Sequence, residues 1–252
     1  MKTKKVLLSI ITVVKNDVRN IDKTINSIVA QKSRHIEYII IDGKSSDGTI
    51  DKIRKYNNKN IKISSRKDDG IYDAMNRGIK FSSGKYIGFC NSGDILKKNS
   101  IKIISKYLLK DIDILFATVK RNYMGATIIK SGFNLNRLSY NFDFATSHST
   151  GFYIKKKLHN IYGLYDKRFK CSADYDFYLR VLKNRKLKIL NTPKNKIIGE
   201  VKKGGYSSTL SPIDHLNEET KIRIKNKQNI FFIFLIYINS IIKIIFRKII
   251  KQ

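Results

Sequence analysis

Four short stretches of the chain gather acidic and small residues: "DGKSSDGT" beginning at Asp42, "DDGIYDAMNRG" at 68–78, "NSGD" ending at Asp94, and "SADYD" at 172–176. Taken singly, each has a structural explanation. Asp47 would cap the helix that follows it, and Asp68 and Asp69 would make the turn before Gly70. Asp94 would cap the next helix, and Asp176 would be surface charge. Taken together they describe chemistry. A carboxylate at a strand end can accept from a nucleobase or ribose, which suits Asp42. One in a tight turn can bind a divalent cation that bridges two phosphates, which suits Asp94. One on a helix facing the same cleft can take a proton from an attacking hydroxyl, which suits Asp174. Nucleotide, cation and base together point to displacement at a carbon bonded to a leaving diphosphate.

These side chains need a scaffold that brings them to one rim, and the first half of the chain supplies the pattern. Strand-like runs at Val6–Val14, Glu37–Ile41, Ile61–Ser65 and Lys85–Cys90 alternate with helical spacing at 20–31, 50–56, 71–81 and 100–109. That alternation predicts right-handed βαβ units and a mostly parallel sheet flanked by helices. Ligands bind such sheets at the carboxyl ends of the strands, where "IDGKSSDG" and "NSGD" fall. The second half is less regular. Runs at Asp113–Val119 and Ala126–Lys130 read as strands of a small mixed sheet, and Ser172–Lys183 reads as a helix.

Composition bounds the alternatives. The 252 residues, 42% hydrophobic and 11% aromatic, fit a globular domain with an appendage and exclude general disorder. With 51 basic and 20 acidic residues the formal charge is +31. The lysines are scattered through every segment, so nucleic acid is not favoured, and an anionic substrate or membrane surface fits at least as well. Cys90 and Cys171 form no disulfide framework. The N-terminal "MKTKKVLLSIITVV" lacks a small-residue cleavage site and reads as a first strand. After Glu219 no acidic residue occurs, and the chain ends in "IFFIFLIYINSIIKIIFRKIIKQ". On a helix Asn239, Lys243, Arg247 and Lys251 would form one polar stripe, which fits a helix lying in a membrane interface; packing on the domain or a dimer face are the alternatives. The expected division is a catalytic domain at 1–215 and a helical tail at 216–252.

The segments "LLSIITVVKND", "EYIIIDGKSSDGT", "DDGIYDAMNRGI", "GKYIGFCNSGD" and "SADYDFYLRV", spread over residues 6–210, resemble in order and spacing the family 2 glycosyltransferases. Bacterial polysaccharide and O-antigen enzymes with a "GIYDAMN" segment are the most similar. The resemblance implies a Rossmann-like GT-A fold and inverting transfer from a nucleotide-sugar donor, a UDP-sugar in this reading. The acceptor would be a glycan or lipid-linked, and the cofactor Mg²⁺ or Mn²⁺. It implies an enzyme on the cytoplasmic face of a bacterial membrane. Carried over, Asp42 contacts the donor base, and Thr12 and Val14 line the base slot. Asp68, Asp73 and Asn76 flank the donor, and Asn91 and Ser92 stand beside it. Asp94 holds the metal, and Asp174 is the general base. His148, in "ATSHSTGFY", lies near acceptor and diphosphate, with a satisfied structural histidine as the alternative. "KKGGYSS" resembles a segment that closes over the donor, with Lys202 and Lys203 meeting phosphate. The chain departs from many relatives in having Asn91, Ser92 and Gly93 where they carry further carboxylates, so a cation at Asp94 would rely on the donor's phosphates. The competing reading is a non-catalytic basic protein, binding membrane or nucleic acid, on a degenerate version of the same fold.

Overall fold

The computed structural model describes residues 5–31, 33, 35–56, 61–123, 126–130, 132–134, 148–202 and 210–249. The elements run β1 (Leu8–Val14), α1 (Ile21–Val29), β2 (Ile36–Asp42), α2 (Thr49–Arg54), β3 (Ile61–Ser65), α3 (Ile71–Phe81), β4 (Tyr86–Phe89), β5 (Ile95–Leu96) and α4 (Ser100–Leu108). They continue β6 (Ile114–Phe116), β7 (Thr118–Tyr123), β8 (Ala126–Lys130), a 3-10 turn at Ser149–Gly151, β9 (Phe152–Lys155), α5 (Lys156–Tyr162), α6 (Ala173–Leu182), β10 (Ile189–Asn191) and β11 (Ile197–Val201). Two helices, α7 (Pro212–Lys225) and α8 (Ile230–Ile249), follow.

Every residue of β1 is buried, as its nearly unbroken apolar run requires of a strand covered on both faces. Ile11 and Val13 join one core cluster with Ile39, Ile41, Met75 and Ile79; Leu8, Ile10 and Val14 join another with Ile21, Ile25, Ile28 and Ile40. Each such side chain contributes about 1.5–3 kcal/mol by leaving water. The main sheet has the order β10-β6-β9-β4-β1-β2-β3, with β9 antiparallel to both its neighbours. Val14 pairs with Asp42 and Asp42 with Ser65, so three strand ends finish level and form the rim. On α3, a Cβ at Gly78 would come within 2.5 Å of Ile11 Cγ2, so glycine lets this helix lie close on the sheet.

The small sheet has the order β5-β11-β7-β8. The single strand expected at Asp113–Val119 is two strands. It breaks at Ala117, whose N–H donates to Gly151 O, and the chain crosses there from the main sheet into the small one.

The expected boundary at 215/216 falls inside α7 and is corrected by the packing. Leu216, Ile222 and Arg223 are buried, and Ile222 belongs to the main core. Asn226 donates to Asp176 Oδ1 at 2.9 Å, and Lys225 Nζ reaches Asp166 and Asp176 at 2.9 Å each. The α/β domain therefore includes α7, and α8 lies against α7 through buried Ile233 and a hydrogen bond from Tyr237 Oη to Asn217 Oδ1 at 3.1 Å. Among the described residues no helix is long and apolar enough to cross a membrane.

Candidate active site

Three groups of side chains stand at the carboxyl end of the main sheet. The first surrounds the ends of β1 and β2. Asp42 is fully buried and accepts from Ser45 N (3.1 Å), Ser45 Oγ (2.5 Å) and Ser65 Oγ (2.6 Å). Arg77, from α3, donates to Asp42 O at 3.0 Å and Arg66 O at 3.2 Å, pinning the strand-end backbone. Asp68 lies against Gly43, where an added Cβ would meet its Oδ2 at 2.3 Å; its Oδ1 accepts from Gly70 N. Val14 and Asp68 thus lie beside Asp42. Thr12 differs from the expectation: its Oγ donates to Cys90 O (2.7 Å) and shares a hydrogen bond with Tyr38 (2.9 Å), so it joins strands inside the sheet. Asp47 does accept from Thr49 N and Oγ, the capping role read for it.

The second group forms around the "NSGD" turn. Asp94 is buried; Oδ1 accepts from Lys202 N (2.9 Å) and Oδ2 from Thr150 Oγ (2.5 Å). His148 Nδ1 lies 3.8 Å from Asp94 Oδ2 and accepts from Thr150 N at 3.3 Å, which leaves the ring proton on Nε2. Burial lowers the His148 pKa against the opposing pull of Asp94, so the imidazole is neutral and keeps its Nδ1 lone pair. Asn91 Nδ2 donates to Ser149 Oγ (3.1 Å), while its Oδ1 is buried with no partner. Ser92 Oγ donates to Asp17 Oδ2 (2.8 Å), and Lys202 Nζ pairs with Asp17 at 3.1 and 3.2 Å. Burial pushes the Asp17 carboxyl up, but hydrogen bonds from Asn20, Ser92 and Lys202 outweigh it and leave the pKa lowered. Gly93 has φ 93°, and a Cβ there would strike Lys202 Cδ at 2.1 Å; glycine is required on both counts. Lys203 lies outside the described residues.

The third group holds the base candidate. Asp174, half-buried in the first turn of α6, accepts from Tyr175 N (2.9 Å) and Tyr72 Oη (3.2 Å), both on Oδ1. Burial drives its pKa up to about 6, against those two hydrogen bonds. Of the "GIYDAMN" residues it is Tyr72 that meets Asp174. Asp73 pairs instead with Lys167 (2.9 Å), and Asn76 clamps the backbone of Tyr165 through Nδ2 to O (2.8 Å) and N to Oδ1 (3.0 Å). Both fix the loop that leads into α6.

Reading the sequence missed Asp17, Thr150 and Tyr72. Asp17 follows the end of β1, and the rule applied to Asp42 and Asp94 would have found it. Thr150 carries no local signal, because a long-range contact over 56 positions defines its role.

As a test of a divalent cation at this turn, the described residues hold no cluster of three or more His, Cys, Asp or Glu placed for one. They do offer Asp94 Oδ2 and the unpartnered Oδ1 of Asn91, while the Nδ1 lone pair of His148 is taken by Thr150 N. That hard, incomplete donor set suits a cation whose remaining ligands are phosphate oxygens and water.

Alternating strands and helices with carboxylates at the rim define an α/β fold with a ligand site at its strand ends, and comparison with known proteins narrows the family. The profile of "Glycosyl transferase family 2" matches residues 9–159, so the chain belongs to that family. A PGL/p-HBAD biosynthesis glycosyltransferase of Mycobacterium bovis is 27% identical over 186 residues, 71% of this chain and 70% of the relative. A chondroitin synthase of Pasteurella multocida is 26% identical over 191 residues, 73% of this chain; the chain spans only 20% of that protein's length. Among solved structures, S. aureus TarS with UDP-GlcNAc superposes with TM-score 0.69 at 21% identity, over 86% of this chain and 66% of that one. The mannosyltransferase PcManGT of Pyrobaculum calidifontis, solved with GDP-Man and Mn²⁺, gives 0.64 at 15%, over 92% and 68%. These likenesses establish the GT-A fold.

Proposed function

We propose that the protein transfers a sugar with inversion from a nucleoside-diphosphate donor, a UDP-sugar, to a glycan or lipid-linked acceptor in surface polysaccharide or O-antigen synthesis. The observation that carries this reading is Asp174. It is a carboxylate with a raised pKa, one oxygen fixed by Tyr72 and Tyr175 and the other free of those bonds. A base with a pKa near neutrality is ionised at working pH and still basic enough to draw a proton from a hydroxyl.

In this mechanism Val14, Asp42 and Asp68 border the donor base. Thr12 and Asn76 act from behind, holding the strand end and the loop before α6. Asp174 takes the acceptor's proton as its oxygen attacks the anomeric carbon in line with the diphosphate. Asp94, with Asn91 and His148 beside it, would hold a Mg²⁺ or Mn²⁺, which would supply charge neutralisation for the leaving diphosphate. Lys202, next to Ser92 and Asp17, offers a second positive charge to phosphate. A UDP-GlcNAc-bound TarS and a GDP-Man- and Mn²⁺-bound mannosyltransferase of similar fold support a nucleotide-sugar donor.

The α8 helix supports association with an anionic membrane at the cytoplasmic face, because Phe231, Phe234, Leu235, Ile238 and Phe246 are exposed along it. The test of the whole reading is a thermal-shift and turnover screen of UDP-, GDP- and dTDP-sugars with and without Mn²⁺. Stabilisation by one donor class, deepened by metal, and release of that nucleotide with a lipid-linked acceptor are expected. Indifference to every sugar nucleotide would overturn it.

A further inference from the structure

Asn91 and Asp94 meet partners 58 and 56 positions along the chain, in the 3-10 turn at Ser149–Gly151. Ser149 Oγ accepts from Asn91 Nδ2 at 3.1 Å, and Thr150 Oγ donates to Asp94 Oδ2 at 2.5 Å. Consecutive hydroxyls thus hold the two side chains that offer oxygen to a cation. The turn is itself held on several sides. Thr150 N donates to His148 Nδ1 (3.3 Å), Gly151 N to His148 O (2.9 Å), and Tyr153 Oη to Thr150 O (3.0 Å). Thr150 is fully buried, and its methyl meets β11 at Gly199, where an added Cβ would lie 3.1 Å from Cγ2. Just past the end of that strand, Lys202 N donates to the other carboxylate oxygen of Asp94 at 2.9 Å.

We propose that Ser149 and Thr150 are positioning residues that aim Asn91 Oδ1 and Asp94 Oδ2 at a divalent cation carried by the donor's diphosphate. This rests on the cation of the reaction proposed above. A carboxylate oxygen has two lone-pair sites. Thr150 takes one of those on Oδ2 and leaves the second for a cation. With Lys202 N on Oδ1, it also stops the carboxylate from turning about its broad terminal torsion. The Asn91 amide poses a different problem. It can be turned either way, and only its oxygen can serve Mg²⁺ or Mn²⁺. Tying Nδ2 to Ser149 settles the choice and leaves Oδ1 buried without a hydrogen-bond partner, a costly arrangement unless a ligand fills it. His148 serves the same end from behind. Its Nδ1 fixes the turn, so it acts on the cation site through Thr150 rather than as a ligand.

The experiment compares the parent with Thr150→Val, Thr150→Ser and Ser149→Ala. Valine keeps the methyl against Gly199 and loses the hydroxyl; serine does the reverse. Binding of Mn²⁺ is read from the free-ion electron paramagnetic resonance signal at saturating UDP, with GDP in parallel. Calorimetry reads the binding of each nucleotide without metal. Thr150→Val should weaken Mn²⁺ binding about 10- to 100-fold, and Ser149→Ala about two- to tenfold, with metal-free nucleotide affinity unchanged. Thr150→Ser should bind Mn²⁺ as the parent does. Unaltered Mn²⁺ affinity in Thr150→Val, with or without a lower melting temperature, would make the turn merely structural and overturn the proposal. So would an equal loss of metal binding and metal-free nucleotide binding. Should Thr150→Val fail to fold, Ser149→Ala, a change at a half-buried residue, decides the matter, and undiminished Mn²⁺ affinity there overturns the proposal. A parent that holds no Mn²⁺ with either nucleotide would instead overturn the cation reading itself, and this assignment with it.

Discussion

Replacing Asp174 by asparagine should abolish transfer and raise the melting temperature of the free protein. Both hydrogen bonds to this side chain land on Oδ1, from Tyr72 and Tyr175, so an amide can keep both with its own oxygen and turn its nitrogen to the cleft. What changes is the charge. The carboxyl titrates near 3.8 when unfolded and near 6 in the fold, because burial disfavours its ionised form. A raised folded pKa means the folded state binds the proton more tightly. The associated stability is therefore fully present below pH 3.8 and is lost as pH rises through 6. At pH 7.5 the ionised side chain destabilises the fold by about 3 kcal/mol, from about 2.2 units at 1.36 kcal/mol each. The same linkage gives about 1.6 kcal/mol at pH 5 and about 0.6 at pH 4. For a chain of this length the gain at pH 7.5 amounts to about 6–12 °C. Differential scanning fluorimetry of parent and variant at the three pH values reads it directly, beside a turnover assay expected to fall about 10²–10⁴-fold. A variant no more stable than the parent at pH 7.5, or one whose advantage is the same at pH 4, would refute the burial argument. Full turnover would refute the base.

The remaining expectations follow from neighbouring residues. The log of kcat/KM against pH should fall with unit slope below about pH 6, and Tyr72→Phe, which removes a donor to the carboxylate, should move that limb upward; a limb that stays put would deny Tyr72 its contact. Asp94→Ala should leave the protein close to inactive at any Mn²⁺ concentration, and full activity in that variant would return Asp94 to a purely structural role with Thr150 and Lys202. Buried His159 has both ring nitrogens unpartnered and its pKa lowered by burial to about 3. Stability from that neutral ring is full above pH 6.5 and lost as pH falls, so His159→Leu should remove about 2 kcal/mol of the loss between pH 7.5 and 5, read from urea midpoints. Truncation after Lys227 should release the protein from anionic vesicles in a flotation assay while the domain's melt persists; undiminished binding would assign the contact to the scattered lysines.

The strand–helix order of the first half was legible because parallel strands buried on both faces must be almost wholly apolar, and their helices must repeat isoleucine at three and four. Ile21, Ile25 and Ile28 are all buried as that spacing demands. The rim carboxylates Asp42 and Asp94 were legible for the same reason, since Asp42 ends β2 and Asp94 lies in the turn that follows β4, both strands whose direction is fixed by the parallel sheet. What each carboxylate touches was not. Local pattern carries no information on a partner 56 or 108 positions away, as Thr150 and Lys202 are from Asp94. The face of α3 that turns Tyr72 to Asp174, and sends Asp73 and Asn76 to the loop before α6, follows from Gly78 seating that helix on Ile11. The split at Ala117 and the inclusion of α7 are likewise packing results: a short apolar run reads alike in one sheet or two, and a mostly polar helix declares itself part of a domain only through the buried Ile222, Arg223 and Asn226. The sequence by itself therefore determined which residue types arrive at the rim and in what order. The tertiary structure alone decided their partners and charges, because burial and long-range contact shift a pKa and occupy a lone pair, and neither is encoded in any local stretch.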